Sequence, residues 1–129
     1  MIALDTNVVV RFLAGDDPEQ FAKAKRIFER ENIVLTTTVI LETEWVLRYA
    51  YGFKSLDITE AFERLFGLPQ VLVESQETVH QALTWHRKGL DFADALHLVQ
   101  SSSCDAFVTF DKKLIKNATK ITSVPVKEP

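Results

Sequence analysis

Four short runs of consecutive apolar residues constrain the fold of this chain more than any other feature. They lie at residues 2–4, 33–35, 71–73 and 106–110, and longer segments with helical spacing separate them. Short apolar runs without alternation are typical of strands that a sheet buries on both faces. Because parallel strands need crossover connections, this order predicts an α/β fold: a three-layer sandwich with a short, mainly parallel sheet flanked by helices.

Capping residues, prolines and glycines indicate where the intervening helices begin and end. Asp5 or Thr6 caps a first helix that ends before Gly15, and Asp17-Pro18 opens a second helix. The predicted helices end at about residues 14, 31, 51, 66, 88 and 102, and they are followed by a short helix around Leu114 and an edge strand at 123–126.

Size and composition favour one globular domain spanning residues 1–129. The chain has a net charge of −3 and a single cysteine, Cys104, which cannot form an internal disulfide. A reducing, cytoplasmic location is therefore expected, with Cys104 as a small buried side chain. No segment has the apolar length of a membrane helix or signal peptide. The four glycines are too widely separated to form a phosphate-binding loop.

Four carboxylates lie just after predicted strands or near the start of the predicted helices beside them. Asp5 directly follows the first predicted strand, and Asp111 follows the fourth. Glu42 lies about a turn or more into the helix after the second strand, and Asp94 lies one turn into the helix before the fourth. Because the carboxyl ends of parallel strands share one edge of a sheet, the four side chains are expected to converge there.

Such a cluster of carboxylates predicts a site for a hard divalent cation. Four neighbouring anions repel one another and need a compensating charge. Mg²⁺ and the chemically similar Mn²⁺ prefer carboxylate oxygens and retain several waters. The chain contains no pattern of cysteines and histidines typical of zinc sites. The chemistry indicated is metal-assisted transfer or hydrolysis of a phosphoryl group.

Individual acidic residues also have simpler interpretations. Asp5 or Asp111 taken alone is equally well explained as a helix cap. Asp91 precedes the apolar run of its helix and is predicted to be the cap, which leaves Asp94 as the inward-facing acid. Glu44 lies two residues after Glu42, roughly across the helix, and is expected to be solvated.

Basic and aromatic residues give weaker signals. Arg11, Lys112, Lys113 and Lys116 lie close in sequence to the strand-end acids, where they would hold phosphates that flank a scissile one. Lysine pairs such as Lys112-Lys113 are most often simply solvated. His97, one turn after Asp94, would orient a metal-bound water, but a histidine at least partly buried in the core is the favoured interpretation. Trp45 is expected in the core.

Four segments together resemble the PIN domain family. MIALDTNVVV is similar to the opening strand of PIN domains, TTTVILETEWVL to their second acidic motif, DFADALHL to the third and FVTFDKKL to the fourth. The four segments occur in the family order and span nearly the whole chain. The length and the DFADALHL segment most resemble VapC-type toxins of prokaryotic toxin–antitoxin pairs.

The resemblance implies a Mg²⁺- or Mn²⁺-dependent endoribonuclease that is neutralised by a cognate antitoxin and forms a homodimer. It implies that the catalytic, metal-binding carboxylates are Asp5, Glu42, Asp94 and Asp111. It further implies that these carboxylates are oriented through hydrogen bonds by Asn7 and Thr109, with a supporting role for Asp91.

Three functions other than that of a toxin nuclease are compatible with some of these sequence features. A PIN nuclease with a housekeeping role in RNA processing would have the same residues. A non-catalytic RNA-binding module would bind RNA without metal and without cleaving it. A signalling receiver domain is disfavoured because Thr6, not a second acid, follows Asp5, and the third strand ends in Glu74-Ser75 without a phospho-accepting aspartate.

Overall fold

Three parallel strands form the sheet in the first part of the chain. The structure, a computed structural model, describes residues 1–129 and divides into two compact units, Met1–Gln76 and Glu77–Pro129. In the first unit the strands are hydrogen-bonded in the order β1-β2-β3. Their bounds are Ile2–Ala3 (β1), Ile33–Leu35 (β2) and Val71–Val73 (β3).

Four helices accompany this sheet, and their ends follow the predicted signals. Their bounds are Thr6–Ala14 (α1), Pro18–Arg30 (α2), Thr37–Tyr49 (α3) and Ser55–Phe66 (α4). Asp5 caps α1, and Asp17 caps α2 with Pro18 in its first turn. Gly15 ends α1 in the left-handed conformation, with φ of 64°, which a residue with a Cβ adopts only under strain.

The core of the first unit forms where α1 packs against α2 and α3 and where the strands pair. Ile33 and Leu35 of β2, the central strand, are fully buried, as are Phe28 of α2, Ile40 of α3 and Phe62 of α4. Burial of side chains of this size stabilises the fold by roughly 1.5–3 kcal/mol each. The central position of β2 explains why its residues form an uninterrupted apolar run.

The second unit contains three helices and two strands. Their bounds are Gln76–Arg87 (α5), Phe92–Gln100 (α6), Phe107–Val108 (β4), Lys112–Ile121 (α7) and Val126–Lys127 (β5). β4 and β5 pair in parallel, with Phe107 opposite Val126. Phe92, Ala95 and Leu98 of α6 are fully buried.

The α/β class with a short parallel sheet is confirmed, but the pairing of the fourth strand differs from the prediction. β4 pairs with β5 in a separate two-stranded sheet and does not extend the sheet of β1, β2 and β3. β4 has only two residues, Phe107 and Val108, which pair with Val126 and Lys127 of β5. Asp5 and Asp111 therefore follow strands of different sheets. No helix combines the length and the apolar character needed to cross a membrane.

The expectations about the burial of Trp45, Glu44 and Cys104 are wrong. Trp45 is 55% exposed, because the buried stripe of α3 runs through Ile40, Thr43, Glu44 and Leu47 on the opposite side of the helix. Glu44, expected in solvent, is 2% exposed and is paired with a neighbouring arginine of the same helix. Cys104, expected to be buried, lies exposed in the loop after α6.

Candidate functional site

Asp5 stands between the first strand and the first helix. Buried Leu4 separates it from β1, and its own backbone is extended, with φ of −77° and ψ of 158°. The backbone N–H of Thr6 donates to Asp5 Oδ1 at 2.8 Å. The cap interpretation is thus confirmed, and it leaves Oδ2 as a second acceptor on an exposed carboxylate. Capping a helix and binding a cation are compatible uses of one carboxyl group.

The second acidic motif presents its two glutamates differently. Glu42 is exposed on α3, the helix that packs against α1. Glu44 is buried, and Arg48 donates to it from Nε (2.8 Å) and Nη2 (3.1 Å). Because both oxygens of Glu44 are committed to this ion pair, Glu42 is the glutamate of α3 that is available to a ligand.

A carboxylate that the sequence pattern did not assign to the site also lies at the end of a strand. Glu74 directly follows β3, and its Oε1 accepts from the backbone N–H of Thr37 at 3.2 Å. It thereby satisfies a donor in the first turn of α3, where Thr36 makes no side-chain cap. Its position immediately after the third apolar run was the sequence signal that could have assigned Glu74 to the candidate site.

Asn7 and Arg11 have partners other than the strand-end acids. Both line a surface pocket of about 400 Å³ beside α2. Arg11 donates to Asp16 Oδ2 at 2.8 Å and to Gln20 Oε1 at 2.7 Å, and it contacts the Tyr51 hydroxyl at 3.0 Å. Desolvation raises the pKa of Asp16, but hydrogen bonds from Tyr51 and Arg11 outweigh it and hold the pKa below its usual value. The roles suggested for Asn7 and Arg11 stay predictions.

Three carboxylates interact in the second unit. Asp91 caps α6, and its Oδ1 accepts from the backbone N–H of Asp94 at 3.1 Å. The pKa of Asp94 is raised, chiefly because the carboxyl is partly buried and next because Asp91 is negative; His97 opposes this shift and Asp111 adds to it. The prediction that Asp91 is the cap is confirmed, and Asp94 is the less exposed of the two. Asp94 therefore lies in an environment that favours a neutralising positive charge.

Asp111 is held rigidly at the start of α7. Its Oδ1 accepts from the backbone N–H of Leu114 at 3.0 Å, which is a helix cap. Thr109 Oγ1 accepts from the backbone N–H of Asp111 at 3.1 Å. Thr109 thus orients Asp111 through the main chain and not through its carboxylate.

His97 is exposed, contrary to the expectation of a core histidine. Its ring stacks on Phe107 with centroids 6.2 Å apart and an interplanar angle of 13°. The stack fixes the imidazole on the exposed side of α6, one turn from Asp94. The electrostatic interaction with His97 lowers the pKa of Asp94, against the larger upward effect of burial.

The amino-acid sequence of the chain matches the model of a known family. The PIN domain profile matches residues 2–120, almost the whole chain. The chain belongs to the PIN domain family. No individual curated protein matches it.

PIN domains are generally metal-dependent nucleases, and divalent ions such as Mg²⁺ are their usual cofactors. Membership of the family therefore indicates a nuclease. The finer assignments, namely the type of nucleic acid, the particular ion and the biological role, are proposals below.

The carboxylates of this PIN domain fit a hard cation by their chemistry. Asp5, Asp94 and Asp111 offer oxygen donors, and no lysine or arginine contributes to the pKa shift of Asp94. Within each unit taken alone, no group of three or more His, Cys, Asp or Glu side chains is arranged to hold a metal ion. The pKa of Asp94, raised by partial burial and by the charges of Asp91 and Asp111, is the observation that favours a cation here.

From the raised pKa of Asp94 we predict how the stability of the folded protein changes with pH. A carboxyl whose pKa is raised on folding stabilises the native state below its ordinary value of 3.8, and this contribution is lost as pH rises through the folded pKa. Asp94→Asn removes the buried charge, so at pH 7 its melting temperature should equal or exceed that of the wild type. The difference should vanish near pH 3.5. Thermal unfolding by circular dichroism at both pH values measures it.

The matched control is Asp105→Asn, which alters an exposed carboxyl in the same unit. It should shift melting equally at both pH values. A melting temperature for Asp94→Asn that falls below the wild type at pH 7 but not at pH 3.5 would contradict the electrostatic account.

Proposed function

We propose that this PIN domain is an endoribonuclease that uses Mg²⁺ or Mn²⁺ to hydrolyse phosphodiester bonds. The observation that carries the proposal is the cluster around Asp94, where burial and the charges of Asp91 and Asp111 disfavour a bare carboxylate. A divalent cation removes that penalty. Family membership supplies the reaction class.

The four proposed metal-binding carboxylates are all exposed or partly exposed. They are Asp5, Glu42, Asp94 and Asp111. A bound divalent ion supplies an activated water and stabilises charge on a phosphoryl oxygen. The helix caps made by Asp5 and Asp111 fix the orientation of both carboxylates before substrate binds. Asp91 fixes the start of α6 and thereby the position of Asp94.

Removal of divalent metal is expected to abolish cleavage. In EDTA, a fluorescently labelled single-stranded RNA should stay intact, and an excess of Mn²⁺ or Mg²⁺ should restore cutting in the same sample. The reason is that, in the proposed reaction, the bound ion supplies the activated water and stabilises the charge on the phosphoryl oxygen. Denaturing gels with time courses in each ion measure the rates. Cleavage that continues at full rate in EDTA would contradict the proposal and would indicate a metal-independent ribonuclease.

The biological role that we propose is that of a VapC-type toxin, acting in the cytoplasm as a homodimer. The support is the DFADALHL segment, which resembles the corresponding segment of that group. The proposed partners are an RNA substrate and a cognate antitoxin that covers the acidic site. The available glutamate of α3, Glu42, and the exposed Asp5 would accept a basic side chain of that antitoxin.

Expression from a tightly regulated promoter in a prokaryotic host tests this role. Induction should stop growth within a generation, and co-expression of the protein encoded by the adjacent reading frame should restore growth. Asp94→Asn should be harmless when induced. Growth that continues with active, soluble protein present would favour the housekeeping nuclease instead.

A further inference from the structure

One face of the last helix carries a row of lysines. Each helical residue advances by about 100°, so Lys112, Lys113, Lys116 and Lys120 lie within an arc of about 100° along roughly 12 Å of α7. We call these four residues the lysine face. All four are exposed, while Leu114 and Ala118 on the other side of the helix are buried.

The lysine face is electrostatically uncompensated. None of its four lysines forms an ion pair, whereas Lys23 and Lys25 of α2 pair with glutamates one turn away. Residues 106–129 contain five lysines and two acidic residues, but residues 1–105 contain 10 basic and 16 acidic residues. The positive charge is thus local, in a chain that is otherwise acidic, which points to a polyanionic ligand at this face.

An exposed aromatic ring stands at the start of the same helix. Phe110 is 83% exposed, the largest value among the exposed large hydrophobic side chains. It is held between two anchored residues: the N–H of Thr109 donates to Lys127 O at 3.0 Å, and Asp111 caps α7. The ring is therefore presented to solvent by a fixed corner of the backbone and not by a frayed loop.

The ring and the lysine face adjoin the candidate catalytic acids of the second unit. Phe110 directly precedes Asp111, whose charge acts on Asp94, and Lys112 directly follows it. A ligand that lies on both features would pass beside these carboxylates. Val108, two residues before Phe110, is also exposed and extends the apolar surface.

We propose that Phe110 and the lysine face form a binding track for single-stranded RNA, in which a base stacks on Phe110 and the lysines hold the phosphates that follow. The inference rests on the proposed nuclease function and names the residues that position its substrate. Single-stranded nucleic acid offers both unpaired base faces and closely spaced phosphates, and aromatic rings interleaved with cationic side chains are suited to both. An acidic peptide would match the lysines but not the exposed ring.

The test is binding of a fluorescein-labelled, mixed-sequence 12-nucleotide RNA to the full chain, measured by anisotropy in EDTA and in Ca²⁺. Phe110→Ala should weaken binding by about 5- to 100-fold, which is the reduction expected for one stacked base. Phe110→Trp should bind like the wild type, and its added fluorescence should be quenched by the RNA. Phe110→Leu should behave like Phe110→Ala, because it keeps the apolar volume but not the ring.

The lysine face is tested through the salt dependence of binding. Lys116→Ala with Lys120→Ala should reduce the slope of log K against log salt by about 1.4, or about 0.7 for each phosphate that a lysine no longer neutralises. Lys23→Ala with Lys25→Ala, which removes two exposed lysines from α2, is the matched control and should leave the slope unchanged.

Several outcomes would overturn the track. One is that Phe110→Ala or Phe110→Leu binds RNA as tightly as the wild type, and another is that the wild type binds no RNA in EDTA or in Ca²⁺. A third is that polyglutamate at equal charge competes with the RNA. The last is that sedimentation explains the effect of Phe110→Ala entirely by an altered oligomeric state. Metal-dependent cleavage with unaltered binding by Phe110→Ala would refute the track and leave the nuclease standing. RNA binding that depends on Phe110, without any cleavage in Mn²⁺, would support the track and refute the nuclease.

Discussion

Asp94→Asn is expected to lower metal-dependent RNA cleavage by about 1,000-fold or more, or about 4 kcal/mol in the barrier, without unfolding the protein. Asparagine keeps the size of the side chain but offers a neutral oxygen, so a divalent ion would lack a charged ligand. Removal of one electrostatic interaction with a reacting centre commonly costs 10²- to 10³-fold, and a direct ligand should cost at least as much. The substitution also removes a partly buried charge next to Asp91 and Asp111, so the fold should tolerate it.

Single-turnover cleavage of a labelled RNA in Mn²⁺, with far-ultraviolet circular dichroism of the same preparation, measures this effect. Asp105→Asn is the matched control, since it makes the same chemical change at an exposed position of the second unit, and it should retain the wild-type rate. Manganese binding by isothermal titration should be weaker in Asp94→Asn than in either other protein. Full cleavage by folded Asp94→Asn, free of contaminating nuclease, would remove Asp94 from the site.

Local signals explain why most elements could be predicted from the sequence. Asp17-Pro18 predicts the start of α2 because an aspartate accepts from the first free amides and proline fits the first helical position. Gly15 predicts the end of α1 because the chain there adopts positive φ. The caps at Asp91 and Asp111 are local in the same sense, since each accepts from an amide three residues away.

Features that depend on distant partners could not be predicted in this way. The pairing of β4 with β5 depends on which strand forms hydrogen bonds with the backbone of its two residues. Nothing in the apolar run 106–110 specifies that partner. The expected convergence of Asp5 and Asp111 rested on a single four-stranded sheet, and the acids follow strands of different sheets. Their shared role is therefore a proposal that rests on family membership, since the electrostatics of Asp94 involve Asp111 but not Asp5.

Helix α3 shows why polarity alone misassigns burial. Its buried stripe includes Glu44, while the rings of Trp45 and Tyr49 contact each other on the exposed side, with centroids 5.1 Å apart and an interplanar angle of 41°. A hydrophobicity scale that places tryptophan in the core and glutamate in solvent assigns the wrong face of this helix to the core. The carboxylate of Glu44 can be buried because an arginine is paired with it. The spacing of Glu44 and Arg48, four residues apart, was the sequence signal for that pair.

Arg48→Ala is accordingly expected to destabilise the protein by about 3 kcal/mol, because it leaves the carboxylate of Glu44 buried without its partner. In a domain of this size that corresponds to a fall of about 10 °C in melting temperature. Arg48 also stacks over Tyr49, with its guanidinium carbon 4.5 Å from the ring centroid, so part of the destabilisation comes from that stacking. Chemical denaturation by urea, followed by tryptophan fluorescence, measures the change.

The double variant Glu44→Leu with Arg48→Leu separates the ion pair from the packing. Removing both charges eliminates the unpaired carboxylate, so this protein should regain most of the stability that Arg48→Ala loses. Arg26→Ala, at an exposed position of α2 without an ion pair, is the control and should change the free energy of unfolding by less than about 0.5 kcal/mol. If Arg48→Ala cost no more than this control, water would have to reach Glu44 freely, and the pair would not be what allows α3 to bury a glutamate two residues from the proposed metal ligand Glu42.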